Sequence, residues 1–347
     1  MASLKDLLPG VQENVPLSNY TTFRIGGAAK YFFICEDKNS ILNAVRAAKE
    51  CSLPVFVLGG GSNILVSEEG FNGLVLKLAL RGIEQAVDGQ EVYVSVGAGE
   101  VWDSFVEQMV QKGYWGLENL SGIPGTVGAA PIQNIGAYGT EIKDTLLSLE
   151  ALNMDTLEFE RLYNKDCDFA YRESIFKKPE GSRFIITDVS FRLQKNGTPR
   201  THYYDVGRYL EEHALEHPTI ADMRRLILEI RSQKFPDITK VGTAGSFFKN
   251  PIVSGKELER LRSRFPDIPS YDADGGNRKI ALAWILDKVC NVKGVRRGDV
   301  GLFERQPLVL VNYGNANANE VKEFANEVVS QVKGETGLLV EFEVQSV

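Results

Sequence analysis

The 347 residues are 43% apolar and 24% charged, enough to bury cores in two or three domains and too apolar for a disordered chain. The formal net charge of -7 gives no global attraction to nucleic acid or an anionic membrane, so an anionic ligand needs a local cluster of Lys and Arg. The N-terminus lacks an apolar signal region, no apolar run reaches the roughly 18 residues of a membrane helix, and Cys35, Cys51, Cys167 and Cys290 form no CxxC. The chain therefore reads as cytoplasmic, with reduced, buried thiols.

In chain order, residues 30–35 read as a strand, and Ser40 then caps a helix with Ile41, Leu42, Val45 and Ala48 on one face. Residues 55–58 form a short buried strand after Pro54, followed by strand candidates at 74–78, 91–96 and 183–187. Residues 101–112 read as a helix stopped by Gly113. Composition shifts after the turn at 195–199. Beyond it, Thr219 and Asp222 open a helix to about Lys234, and Ser254 with Glu257 makes a capping-box pattern. Asn319 caps a last helix ending before Gly334, and residues 338–344 read as a final strand. The division this suggests is an N-terminal ligand unit followed by a C-terminal α+β domain.

Two segments concentrate glycine. Gly59-Gly60-Gly61-Ser62-Asn63 follows a strand but leads into the β-like run Ile64-Leu-Val66, so it is not the strand-to-helix loop of a Rossmann unit. Its plain reading is a hairpin turn; its functional reading is a backbone nest for an anion. Residues 121–139 (SGIPGTVGAAPIQNIGAYG) hold so many small and turn-forming residues that neither a helix nor a polar loop accounts for them. They fit backbone wrapped against a large ligand, with Gln133, Asn134 and Tyr138 as directional contacts. By contrast, Gly97-Ala-Gly99-Glu100-Val-Trp102 reads as a strand-to-helix turn, with Glu100 placed for the helix dipole.

Taken in order, several motifs are similar to the UDP-N-acetylenolpyruvoylglucosamine reductase family. They are Thr21-Thr-Phe-Arg24-Ile-Gly-Gly27, Gly59-Gly-Gly-Ser-Asn63, Ile123-Pro-Gly-Thr-Val-Gly128, Gln133-Asn-Ile-Gly-Ala-Tyr138, Tyr171-Arg-Glu-Ser-Ile-Phe-Lys177, Gly242-Thr-Ala-Gly-Ser-Phe-Phe-Lys-Asn-Pro251 and Glu341-Phe-Glu343-Val344. The resemblance runs from about Asn19 to Val344. It implies an α+β fold: a two-lobed FAD-binding domain of the vanillyl-alcohol-oxidase (PCMH) type at 17–195, lobes 17–77 and 78–195, and a C-terminal substrate-binding domain at 205–347. The segment around Tyr203-Tyr204 resembles the longer of the family's two types, in which a tyrosine closes over the uridine; Tyr204 is the better match and Tyr203 stays open.

The activity implied is NADPH-dependent, FAD-mediated reduction of UDP-N-acetylglucosamine enolpyruvate to UDP-N-acetylmuramate, a step of peptidoglycan precursor synthesis. The resemblance assigns three catalytic residues. Arg172 would bind the substrate carboxylate, Ser246 would donate the proton, and Glu343 would polarise the enol. It assigns FAD to Thr22 and Arg24, to Gly59, Gly60, Gly61, Ser62 and Asn63, and to Ser121, Gly125, Thr126, Gly128, Ala129, Gln133, Asn134, Gly136 and Ala137, with Arg231 further on. Substrate falls to Tyr138, Tyr171, Tyr204, Lys234, Asn250, Lys279 and Gln306. FAD is expected to be non-covalent, because no His occurs in the first half and neither Cys35 nor Cys51 lies in a ligand loop. No metal is expected, since His213 and His217 have no third ligand, and neither is nucleic acid, a membrane or an obligate protein partner. The chain ends Gln345-Ser-Val347 where the family commonly has a basic residue and Ile-Gly, which bears on the packing around Glu343. Two other readings remain: a different FAD-dependent oxidoreductase acting on a small alcohol, and an inactive nucleotide-sugar binder.

Overall fold

The computed structural model describes residues 3–347, which form two compact units. The first comprises the residues up to Val15 together with Ala29–Gly60 and Phe71–Arg231; the second comprises Pro16–Ala28, Gly61–Gly70 and Ser232–Val347. Segments 16–28 and 61–70 thus group with the C-terminal part, although the sequence reading set them in the first lobe. The physical reason is their pairing: Thr22 Oγ1 donates to the Thr243 carbonyl at 2.6 Å, and Ile64–Leu65 runs parallel to Gln345–Ser346.

The first unit holds a four-stranded sheet, a five-stranded antiparallel sheet and the short ladder of Gly136–Ala137 with Thr140–Glu141. In the four-stranded sheet the order is Gln12–Pro16, Ala28–Cys35, Phe71–Leu78, Val55–Leu58. Both neighbours of Phe71–Leu78 run parallel to it, which requires crossover connections. One crossover is the helix Lys38–Glu50, whose Ile41, Ala44, Val45, Ala47 and Ala48 are buried. Asp37, not Ser40, caps this helix: its carboxylate accepts the Ser40 N–H at 2.7 Å, while Ser40 Oγ accepts the Asp37 N–H at 3.2 Å. The antiparallel sheet is ordered Glu158–Tyr163, Leu146–Asn153, Phe184–Gln194, Glu91–Gly97, Ile83–Asp88. Trp102 and Phe105, from the helix Trp102–Gln111, and Phe191 from the sheet pack with ring centroids 5.2–6.0 Å apart, so these aromatic rings fix that helix on the sheet. That helix stops where expected, with Gly113 at φ 73°.

The second unit carries two three-stranded sheets and the helices Gly255–Arg264 and Ala318–Thr336. Ser254 accepts the Glu257 N–H at 3.3 Å, the forward half of the expected capping box. The last helix is capped by Asn317 with Glu320 rather than by Asn319, and it runs through Gly334 to a left-handed Gly337 at φ 76°. Glycine within a helix costs about 1 kcal/mol; the buried Val328, Val332 and Thr336 side chains offset it. Residues 338–344 make a single bridge, Phe248 to Phe342, and the final strand is Gln345–Ser346.

Two other expectations change. The first glycine segment is not a hairpin, because Val55–Leu58 pairs with Phe71–Leu78 whereas Ile64–Leu65 pairs with Gln345–Ser346. The second does contain helix: Val127–Gln133 is a 3-10 turn, ended by Asn134 in the left-handed region at φ 45°. Small residues allow this tight turn, which carries Pro131 inside it.

All four cysteines are free, and burial pushes the Cys35 and Cys167 thiols up to about 12 and Cys290 to about 11, so these three are poor nucleophiles. His213 stacks on Tyr209 with centroids 4.0 Å apart. Among the described residues, no group of three or more His, Cys, Asp or Glu could hold a metal ion, and no helix is long and apolar enough to cross a membrane.

Candidate functional site

The sequence-assigned residues divide between the units, and each half is built by its own local geometry. In the first unit the two glycine segments meet backbone to backbone. A Cβ on Gly60 would lie 2.6 Å from Gly125 Cα, and one on Gly59 would lie 2.8 Å from Thr126 Oγ1 and 3.0 Å from Ala129 Cβ. Only glycine permits this approach. Gly128 answers a different need: its Cβ would sit 2.5 Å from that of Ala98, against which the 3-10 turn packs. Ser121 is fully buried and its hydroxyl donates to the Glu118 carbonyl at 2.7 Å, so its side chain is spent within the turn.

Asn134 is likewise fully buried, and its amide is consumed by the protein. Its Nδ2 donates to Glu141 at 3.0 Å and to the Ala170 carbonyl at 2.9 Å, while Oδ1 accepts the Lys143 N–H at 3.2 Å. Instead of pointing at a ligand as a directional contact, this side chain ties the glycine segment to the turn that carries Tyr171 and Arg172. Gln133, Gly136 and Ala137 on the same segment stay half-buried. Arg172 itself has φ 57°, a conformation unusual for a long side chain, and Lys177 donates to its carbonyl at 2.9 Å. Its Nη2 donates to the Gly136 carbonyl at 2.7 Å, and its guanidinium lies 5.3 Å from the centre of the Tyr171 ring. The turn thus holds the Arg172 guanidinium on the glycine segment.

Arg231 and Tyr138 lie close enough for each to act on the other's charge. Burial pushes the Tyr138 hydroxyl up to about 12 and pulls Arg231 below its ordinary value, against the opposing pull of Tyr138 and Asp103. Arg231 Nε also donates to the Gly122 carbonyl at 3.1 Å. Sequence reasoning missed what holds this corner. Asp103 accepts the Gly122 N–H at 2.6 Å and a bidentate pair from Arg224 at 2.7 and 3.0 Å. Burial pushes the Asp103 carboxyl up, but Arg224 and the Gly122 N–H outweigh it and the net is below the usual carboxylate range. No local signal joins residues 121 positions apart. Tyr203 packs edge-on against Tyr138 with centroids 5.5 Å apart, whereas Tyr204 opens the helix Tyr204–Glu212 and is 67% exposed. The two tyrosines therefore differ: Tyr203 is a packing residue and Tyr204 faces outward.

In the second unit Thr22 bonds Thr243, and a Cβ on Gly61 (φ 62°) would fall 1.9 Å from the Tyr20 carbonyl oxygen. Arg24 is exposed, with its guanidinium on the carbonyls of Ile238 and Thr239 at 2.7 and 2.8 Å. Asn63 Nδ2 donates to the Glu343 carbonyl at 3.3 Å, and its own carbonyl accepts the Gln345 N–H at 3.1 Å, which ties this second part of the loop (Ser62 included) to the chain's end.

The segments that carry Ser246 and Glu343 share one backbone ladder. Glu343, buried, donates its N–H to the Phe247 carbonyl at 2.8 Å. Ser246 bridges to Val309, and Phe247 donates to Leu308 at 2.7 Å. Phe247, Phe248 and Phe342 pack with centroids 5.1–5.9 Å apart and lock the two segments. Next to Ser246, Gly245 (φ 77°) has open space where a Cβ would be, so the serine borders a vacant surface. Gln306 lies in the turn closed by Phe303 and Val309, on the segment that bridges Ser246. Asn250 follows on the Ser246 segment, and its Oδ1 accepts the Leu282 N–H at 3.0 Å. Lys279 pairs with Ile252 and Tyr271 in a separate small sheet, and Lys234 ends the helix Ile220–Lys234.

The first unit can hold FAD, judged by donor chemistry. The N–H groups of Gly60 and Gly125 meet no acceptor among the described residues, and the Lys77 ammonium donates to the Gly59 carbonyl. Unpaired N–H groups and a nearby cation suit a diphosphate.

Comparisons with known proteins agree with this assembly. Residues 29–157 match the family model described as FAD binding domain, and residues 237–347 match the C-terminal domain of UDP-N-acetylenolpyruvoylglucosamine reductase. The UDP-N-acetylenolpyruvoylglucosamine reductase of Chromobacterium violaceum is 41% identical over 330 residues, 94% of this chain and 96% of the relative. That of Flavobacterium johnsoniae is 40% identical over 339 residues, 96% and 98% of the two chains. The crystal structure of the Thermus caldophilus UDP-N-acetylenolpyruvylglucosamine reductase matches with a TM-score of 0.66 at 26% identity, covering 96% of this chain and 98% of that one. The expected fold class, an FAD-binding domain followed by an α+β domain, stands on these matches and on the mixed helix and sheet of both units. With glycine segments, Arg172, Ser246 and Glu343 set in a chain that matches such relatives from end to end, the protein belongs to the UDP-N-acetylenolpyruvoylglucosamine reductase family.

Proposed function

We propose that this protein reduces UDP-N-acetylglucosamine enolpyruvate to UDP-N-acetylmuramate, using FAD and NADPH, in peptidoglycan precursor synthesis in the cytoplasm. The observation that carries this reading is the backbone ladder shared by the Ser246 and Glu343 segments, locked by phenylalanine rings, beside open space at Gly245.

FAD, with its diphosphate on the N–H groups of Gly60 and Gly125, would supply hydride chemistry between NADPH and the terminal carbon of the enolpyruvyl group. The chain's own residues manage charge and proton. Hydride addition leaves an electron pair that delocalises onto the substrate carboxylate, and Arg172 offers that carboxylate a fixed cation which cannot deprotonate. Ser246 gives a proton to the carbon that bears the carboxylate, completing addition across the double bond. Glu343 polarises the developing enol. A serine is intrinsically a weak acid, so its role depends on the rigid placement that the bridge to Val309 and the phenylalanine cluster supply. In the first unit the pair Arg231–Tyr138 is a support for sugar-nucleotide contact and Tyr204 an outward-facing closing residue; in the second, Lys234, Asn250, Lys279 and Gln306 are the polar contacts to substrate.

The purified protein should show flavin absorption that NADPH bleaches and the enolpyruvyl sugar nucleotide restores. Acid precipitation should release all of the flavin to the supernatant, because no His occurs in the first half of the chain and neither Cys35 nor Cys51 lies in a ligand loop. A colourless protein that gains no flavin on adding FAD would refute the reading.

Tyr204→Phe should weaken sugar-nucleotide binding by up to about tenfold, the worth of one hydroxyl contact, with flavin bleaching by NADPH little changed. Equal losses in both half-reactions would show that Tyr204 is not a substrate-closing residue.

A further inference from the structure

The proposed function assigns nothing to Lys77. This residue lies on Phe71–Leu78, in register with Leu58 at the end of the neighbouring strand, so its side chain reaches the start of the first glycine segment. It is half-buried, and burial, followed by the Arg81 charge, pulls its ammonium below the ordinary lysine value. Among the described residues it makes no ion pair, and its one acceptor is the Gly59 carbonyl. Arg81 does have a carboxylate partner, Glu100 at 3.2 Å. A partly desolvated cation without a carboxylate is costly unless something else needs it there.

The Gly59 carbonyl and the Gly60 N–H belong to one planar trans peptide and point in opposite directions. A cation fixed on the carbonyl therefore fixes the direction of the N–H. That control matters at this peptide, because glycines on both sides leave it free to rotate. Among the described residues the Gly60 N–H has no acceptor, and Gly60 abuts Gly125, whose N–H also has none.

We propose that Lys77 is a positioning residue for the FAD diphosphate: it clamps the Gly59–Gly60 peptide so that the Gly60 N–H faces the anion, and it adds uncompensated positive charge beside it. This inference rests on the FAD reading of the first unit. Lysine has three donors and one is used here, so the clamp leaves the ammonium's field intact.

The test uses apo-protein prepared by flavin removal and titrated with FAD or with FMN, which carries a single phosphate. Lys77→Met, which keeps the length of the side chain without charge or donor, should raise the FAD Kd by about 10- to 100-fold, the worth of a charged hydrogen bond. FMN affinity should fall much less, and Lys77→Arg should restore most of the FAD affinity. The ³¹P resonances of bound FAD should move toward their free positions in Lys77→Met. In the wild-type protein the Gly60 amide should shift downfield as FAD binds, a measurement that holds even where Lys77→Met fails to fold. Unchanged FAD affinity and ³¹P shifts in Lys77→Met, equal losses for FAD and FMN, or a Gly60 amide indifferent to FAD would overturn the proposal. Wild-type protein that binds no FAD would overturn the FAD reading as well, which separates the two failures.

Discussion

Ser246→Ala should leave flavin bleaching by NADPH near the wild-type rate and slow reoxidation by the enolpyruvyl sugar nucleotide by about 10²–10⁴-fold, the usual worth of one positioned proton donor. The serine is proposed to act on the substrate alone, so the first half-reaction does not need it. Structure supports a clean separation, because the residue is held by main-chain pairing of its segment rather than by its hydroxyl. The Val309 bridge, the Phe247–Leu308 bond and the Phe247–Phe342 contact all survive the substitution. A stopped-flow measurement of each half-reaction decides it. Ser246→Cys should recover part of the loss, since a thiol can donate from nearly the same place. Slow bleaching with normal reoxidation would instead make Ser246 a contact of FAD or NADPH.

Arg172→Lys should cost about 10²–10³-fold in reoxidation by the sugar nucleotide, comparable to removing one donor from an anion-stabilising site. Charge is conserved in this variant, but geometry is not. One guanidinium nitrogen holds the Gly136 carbonyl at 2.7 Å, and the planar guanidinium has the shape to grip a carboxylate with paired donors. Lysine gathers its three donors on one nitrogen, so it cannot present a planar fork to the carboxylate while it holds the Gly136 carbonyl. Bleaching by NADPH should change little. The backbone at φ 57° disfavours both side chains alike, so the comparison is not confounded by strain. Full activity in Arg172→Lys would mean that the substrate carboxylate is bound elsewhere.

Much was legible because its signal is local. The strands at 30–35, 55–58, 74–78 and 91–96 are short apolar runs bounded by turn residues, and each lies within an observed strand. The glycine segments announced close backbone approach, and the contact of Gly60 with Gly125 accounts for it. Capping was harder. Asp37 and Asn317 outcompeted Ser40 and Asn319 because a cap is decided by which side chain reaches the N3 N–H, and several polar neighbours look alike in sequence.

The family was legible before any contact was known, through motifs whose residue types and order are kept. Tertiary structure alone decided how they are held. Asn63 meets Glu343 across 280 positions, and Arg224 meets Asp103 across 121, pairings that no periodicity encodes. It also decided that Asn134 serves the fold with its side chain, that Tyr203 is packed while Tyr204 faces outward, and that Lys77 lies on the first glycine segment. The physical reason is the same in each case. A polar side chain's role depends on which donors and acceptors burial leaves within its reach, and chain folding rather than sequence neighbourhood sets that reach.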